Sequence, residues 1–363
     1  MRVLVTGAAG FIGMHTSLRL LERGDEVVGH DDLNAYYDPA LKTARLARLE
    51  AHDRFMFVKG SLEDRDGVAR LFAEHRPDRV VNLAAQAGVR YSIENPRAYL
   101  EANIVGTFEL LEAARAHPPA HMLLASTSSA YGANTEMPYA ETMRADHQMS
   151  FYAATKKSTE SMAHAYAHLF DLPITMFRFF TVYGPWGRPD MALFKFTRAI
   201  LEGDPIDVYN HGDMSRDFTY IDDLVEGIRL LIDVAPEGPK DRNGPERPAD
   251  GAGAGGVIDG DSLSPVAPFR VVNIGNADPV QLMDYIAAIE HATGIAAKKT
   301  LMPMQAGDVP ATWADTGLLE GLTGYRPRTS VRDGVAAFVA WYRETYRPNE
   351  AGLAGQAGAG GDD

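Results

Sequence analysis

Tyr152 and Lys156 stand four residues apart, downstream of a hydroxyl-rich run, Ser126-Thr127-Ser128-Ser129. On a helix, positions i and i+4 share a face. A Lys ammonium beside a phenol favours the phenolate and would bring a Tyr pKa from about 10 toward the range of a general base. The pair is therefore a proton-transfer device, provided that something else in the chain accepts a hydride.

A site for such an acceptor is written into the N-terminus. The apolar run Val3-Leu4-Val5 enters Gly7-Ala8-Ala9-Gly10-Phe11-Ile12-Gly13, and helical periodicity follows from Met14 to Arg23. In a strand–turn–helix unit Gly7 permits the tight turn and Gly10 lets backbone N–H groups approach a pyrophosphate. Gly13 allows close helix–strand packing, so Gly7, Gly10, Phe11, Ile12 and Gly13 form the predicted cofactor cradle. The second predicted strand ends at Asp31, where a carboxylate can accept the adenosine ribose hydroxyls and would repel a 2′-phosphate, favouring NAD over NADP. Asp32 is a neighbouring candidate for the same role. A strand over 54–60 delivers Ser61 and Leu62 near the adenine. A fourth strand over 79–86 carries Ala84 and Ala85, whose small side chains suit either cofactor approach or plain close packing.

Strands alternating with helices six times predict an α/β fold, a Rossmann-type doubly wound parallel sheet with a smaller mixed α/β substrate domain. The predicted NAD-binding domain spans 1–180, with 215–234 and part of 269–275 returning to it. Residues 181–214 and 276–347 form the predicted substrate domain. Within these, 181–190 reads as a turn-rich loop, 280–293 and 331–346 as helices, and Asp222 or Asp223 as a helix cap. The Gly-, Pro- and Ala-rich stretch 236–268 reads as a mobile insertion without chemistry, and 348–363 as a frayed tail.

The totals narrow the function classes. With 35 Lys and Arg against 49 Asp and Glu, the net charge is −14, so nucleic acid and anionic membranes are not expected partners. There is no Cys, which removes disulfides, thiolate metal sites and Cys nucleophiles; no metal is expected. With neither a signal peptide nor an apolar run long enough to cross a bilayer, the chain is predicted to be cytoplasmic.

The glycine run after Thr6, Asn82-Leu83-Ala84-Ala85, Tyr152-x-x-x-Lys156 and 178–185 together resemble the extended short-chain dehydrogenase/reductase superfamily. Within it, 126–129, 186–196 and 216–223 are similar to UDP-glucuronate 4-epimerases. That resemblance implies a catalytic set of Tyr152 as base, Lys156 as ribose ligand and tuner of the base, and Thr127 as third hydroxyl, acting with tightly bound NAD+. It implies that Thr127, Ser128, Ser129, Thr181 and Arg188 hold the sugar carboxylate. Arg216 would bind the diphosphate, with Tyr209 near the uracil or ribose and Asp308 near the ribose. Arg90 reaches the substrate or stays at the surface. The substrates implied are UDP-glucuronate and UDP-galacturonate, in a homodimer formed through helices beginning near Asn103 and Tyr152. The alternatives left open are a UDP-glucose/UDP-galactose 4-epimerase, a UDP-glucuronate decarboxylase and, more distantly, a non-catalytic NAD-binding regulator. Two positions depart from the resemblance. Ser61 stands where Asp is usual, and His30 where an apolar strand residue is usual.

Overall fold

The computed structural model describes residues 1–238, 258, 260–305 and 307–347. The first half alternates β1 (Arg2–Thr6), α1 (Phe11–Arg23), β2 (Glu26–Asp31), α2 (Pro39–Glu50), β3 (Phe55–Lys59), α3 (Arg65–His75) and β4 (Arg79–Asn82). Two short helical turns, α4 (Tyr91–Glu94) and α5 (Pro96–Tyr99), lead through a π-helical stretch, Leu100–Val105, into α6 (Gly106–Ala116). Then come β5 (His121–Ala125), α7 (Phe151–Phe170), β6 (Ile174–Phe179), β7 (Thr181–Tyr183), α8 (Ala192–Glu202), β8 (Pro205–Val208), β9 (Ser215–Tyr220) and α9 (Ile221–Leu231). The chain continues as β10 (Phe269–Ile274), β11 (Pro279–Gln281), α10 (Leu282–Thr293), β12 (Lys298–Leu301), α11 (Gly317–Thr323) and α12 (Val331–Trp341).

Seven strands form one parallel sheet in the order β10-β6-β5-β4-β1-β2-β3. Its inner strands are apolar because helices cover both faces. On one face Phe11, Leu20, Leu224 and Ile228 are buried against Val5 and Leu123; on the other Phe72, Leu110 and Ala163 are buried against Leu4 and Met122. Strand order reverses between β1 and β4, and the crevice beyond their carboxyl ends is where such sheets bind ligands. A smaller body lies beyond that crevice. In it β11-β9-β7 and β12-β8 form two small sheets, and Phe194, Phe218, Tyr285 and Phe338 share one aromatic core with helices α8, α10 and α12. Among the described residues no helix is long and apolar enough to cross a membrane.

Several predicted boundaries move, each for a local reason. The fourth strand stops at Asn82 rather than continuing to residue 86, because the Thr6 hydroxyl accepts the N–H groups of Leu83 and Ala84, each at 3.2 Å, and draws the chain out of the ladder. Thr181–Tyr183 is a strand rather than loop, pairing with β9, and Pro279–Gln281 pairs with β9 before α10 begins. β9 therefore belongs to the small sheet, while α9 and β10 join the large domain. Residues 317–323 also pack there, through buried Leu318 and Leu319, rather than in the smaller body. Helix α9 starts at Ile221 with Tyr220 as its cap, so Asp222 and Asp223 occupy its first turn.

Of the predicted insertion, 239–257 and 259 lie outside the described residues, as does the tail 348–363. The described end of the insertion, 260–268, packs on the large domain: Asp261 pairs with Arg270 at 2.9 Å, Ser264 meets His164 at 2.9 Å, and Ala267 is fully buried.

Candidate active site

The cofactor half is built from the glycine turn. Gly7 has φ +69°, and a Cβ there would lie 2.8 Å from the Ala84 nitrogen; one on Gly13 would lie 1.9 Å from the Gly7 carbonyl oxygen. Only glycine fits either place. No side chain caps α1, whose N-cap is Gly10. The first-turn N–H groups of a helix lack intrahelical acceptors and suit an anion. Phe11 and Ile12 line the same cleft. The Asp31 carboxylate accepts the N–H of Ala9 at 3.1 Å and of Leu33 at 2.8 Å, while Asp32 is engaged by the Asn34 amide. Burial raises the Asp31 pKa, opposed by those N–H groups and by Lys42. Ser61, Leu62, Ala84 and Ala85 complete this wall. His30 lies beneath it, its Nδ1 hydrogen-bonded to the Val58 carbonyl at 3.0 Å.

Tyr152 and Lys156 lie one turn apart near the start of α7, which Ser150 caps by accepting the Ala153 N–H at 3.1 Å. Tyr152 is half-buried in the cleft wall, with Thr127 beside its hydroxyl. Burial raises the phenol pKa; the Thr127 hydrogen bond and the Arg188 charge act in the opposite direction. Lys156, one turn further on, is buried. Desolvation pushes the lysine itself down to about 8, and the carboxylate it feels is Glu160. Glu160 is tied in turn to Arg178 by a bidentate pair at 2.9 and 2.8 Å and accepts from Ser126 at 2.6 Å.

The other half of the cleft lies across the crevice. Thr127 caps a short 3₁₀ turn, Ser128–Tyr131, by accepting the Ser129 N–H at 3.2 Å, so it serves both backbone and phenol. Ser128, Ser129 and Thr181 line the cleft beside it. Arg188, expected to hold a sugar carboxylate, is paired with Asp190 through Nε at 3.0 Å and through Nη2. Its guanidinium lies 5.9 Å from the Tyr36 ring, and the Tyr36 hydroxyl donates to Asp190 at 3.4 Å. The fork leaves Nη1 without a partner on Asp190. Arg216 and Asp308 are paired with each other at 2.8 Å, and Arg216 also donates to the carbonyls of Ser215, Val309 and Pro310. Arg90 sits 5.1 Å over the Tyr209 ring. Every predicted site residue lines one cleft of about 1050 Å³.

Sequence reasoning missed several neighbours. Asp190 and Tyr36 orient Arg188, and Lys42 lines the cofactor wall beside Asp31. Asn103, in the π-helical stretch, donates to the Gln86 carbonyl at 3.1 Å and to Thr155 at 3.0 Å, joining the β4 loop to α7. The one available signal was charge, since an Asp two residues after an Arg in a loop is a candidate partner. Asn103 had none, because π-helical register is set by packing.

A doubly wound sheet with a dinucleotide cradle, a Tyr–Thr–Lys group and a second cationic pocket defines an enzyme that moves a proton and a hydride on a nucleotide-linked substrate. Residues 3–243 match the NAD dependent epimerase/dehydratase family, and the chain belongs to it. It is 54% identical over 347 residues to a probable UDP-glucuronate 4-epimerase of Rhizobium meliloti (strain 1021), covering 96% of this chain and 98% of that one. It is 45% identical to UDP-glucuronate 4-epimerase 4 of Arabidopsis thaliana, covering 95% of this chain and 76% of that one. Its fold matches the crystal structure of a UDP-glucuronic acid 4-epimerase from Bacillus cereus in complex with UDP-glucuronic acid and NAD. The TM-score is 0.82 at 32% identity, over 95% of this chain and 100% of that one.

Proposed function

We propose that this chain catalyses the reversible C4 epimerisation of UDP-glucuronate and UDP-galacturonate. The observation that carries the reading is the convergence on one cleft of the glycine cradle, the Tyr152–Thr127 pair and the Arg188 and Arg216 cations. The cradle fits NAD, since the space that side chains on Gly7 and Gly13 would fill is taken by the turn itself and Asp31 stands at the ribose end. Bound there, NAD supplies a hydride acceptor and donor at sugar C4. Tyr152 takes the O4 proton as the 4-keto sugar forms and returns it after the sugar has turned over. Thr127 donates to the phenolate, and Lys156 holds the nicotinamide ribose.

A 4-keto uronic acid is a β-keto acid and loses carbon dioxide when its carboxylate bond aligns with the carbonyl. Arg188, oriented by Asp190, with Thr127, Ser128, Ser129 and Thr181, holds the carboxylate out of that alignment. Arg216, oriented by Asp308, binds the diphosphate, and the Arg90–Tyr209 pair contacts the uridine end. NMR of UDP-glucuronate with the enzyme and NAD+ tests this, with UDP-galacturonate expected at equilibrium. NADH accumulating with a 4-keto pentose would identify a decarboxylase instead, and turnover of UDP-glucose alone would identify a glucose/galactose epimerase. Arg188→Ala is expected to raise KM or release carbon dioxide; an unchanged product ratio and affinity would remove its carboxylate role.

The large sheet with α9 and β10 forms the NAD-binding domain in this reading, and the body around α8, α10 and α12 the UDP-sugar domain. A homodimer through α6 and α7 is supported by exposed Leu100, Phe108 and Phe151 near the starts of these helices. Light scattering at a monomer mass would overturn it. Cytoplasmic localisation, compatible with the absence of Cys, is checked by cell fractionation.

A further inference from the structure

Arg45 on α2 is fully buried, yet among the described residues it pairs with no carboxylate. Its donors reach neutral oxygens only. Nε and Nη2 donate to the Trp186 carbonyl at 3.2 and 2.7 Å, Nη2 to Gly187 O at 3.2 Å, and Nη1 to the Tyr37 hydroxyl at 2.6 Å and Ala9 O at 3.4 Å. Burying a cation on neutral acceptors is a poor way to gain stability, because desolvation is offset only through hydrogen bonds. The segment it holds is strained as well. Trp186 has φ +63°, a left-handed backbone that a bulky side chain rarely adopts. Arg48, three residues along the same helix, lies 5.1 Å over the Trp186 ring, so α2 grips this residue by carbonyl and by indole. Ala9 belongs to the glycine turn, and its N–H is held by Asp31. Arg188 follows Gly187 directly.

We propose that Arg45 is a positioning residue that fixes the strained Trp186–Gly187 segment against the glycine turn, so that the sugar-carboxylate contact of Arg188 is built onto the cofactor site. The planar guanidinium fork spans both segments at once, which a lysine cannot do. This inference rests on the reading that Arg188 takes the substrate carboxylate.

The experiment compares UDP-glucuronate with UDP by calorimetry on the NAD-loaded full-length protein, for the parent, Arg45→Lys, Arg45→Met, Arg188→Ala and the Arg45→Lys/Arg188→Ala double variant. Arg45→Lys is expected to weaken UDP-glucuronate about tenfold and to change UDP less than about twofold. On top of Arg188→Ala it should add less than about twofold, because the two residues act through one contact. Arg45→Met should show the same selectivity, and if it fails to melt cooperatively the lysine variant decides alone. A purely structural role predicts a lower melting temperature with an unchanged affinity ratio, and that result overturns the inference. An effective Arg188→Ala beside a neutral Arg45→Lys refutes the inference while leaving the carboxylate reading intact. An Arg188→Ala that leaves the ratio of UDP-glucuronate to UDP affinity unchanged refutes that reading and the inference with it.

Discussion

Replacing Tyr152 by Phe removes one oxygen and nothing else from the cleft wall. The ring keeps its edge contact with Tyr99, at 6.0 Å between centroids, and the helix keeps its Ser150 cap. What is lost is the interaction of the hydroxyl with Thr127, worth at most about 1 kcal/mol to stability, so the fold and the glycine cradle should survive. Catalysis loses the phenol proposed to take the O4 proton. General-base assistance contributes about 10²- to 10⁴-fold, and kcat is expected to fall by about 10³, or about 4 kcal/mol in the barrier. The assay follows conversion of UDP-glucuronate by NMR, with NAD content measured after denaturation of the purified variant. NAD retained with kcat lost is the expected pair. A kcat within tenfold of the parent would refute the assignment, and loss of NAD would show that the phenol serves binding. The parent itself should gain activity as pH rises, because burial holds the phenol above its ordinary pKa and the phenolate is the acting form. That rise should be absent from the residual activity of the Phe variant.

Gly13→Ala is expected to abolish NAD retention, since its methyl would meet the Gly7 carbonyl oxygen at 1.9 Å; an NAD-loaded alanine variant would contradict the cradle. Asp308→Ala frees Arg216 from its 2.8 Å partner and should raise KM for the UDP-sugar about tenfold with kcat within about threefold, read from initial rates. Glu160 titrates at about 2 in the folded protein: burial pushes it up, and the Arg178 pair outweighs that. A depressed carboxylate pKa stabilises the fold above the unfolded value near 4.5, and this contribution is lost as pH falls from about 5 to 2. Glu160→Gln should flatten the acid limb of the melting profile, followed by circular dichroism.

The residues that line the cleft were legible because the roles proposed for them demand particular residue types at short spacings. Gly7 and Gly13 cannot carry a Cβ, a carboxylate must end β2, and a phenol and an ammonium must be one helical turn apart. The doubly wound sheet was legible for a similar reason, since parallel strands covered on both faces read as apolar runs between amphipathic helices. Boundaries fared worse wherever a side chain from another segment intervened. Thr6 ends β4 early, and the pairing of β9 with β7 and β11 turns expected loop and helix into strand.

Local spacing thus decided the turn, the acid at the second strand and the Tyr–Lys pair, because each is a constraint within a few residues. Partnership across the chain was decided only in three dimensions. Asp190 and Tyr36 claim Arg188, Asp308 claims Arg216, and Glu160 is the carboxylate that Lys156 feels. Hydrogen bonds and desolvation depend on distances between groups far apart in the chain, and those distances exist only once the fold has closed.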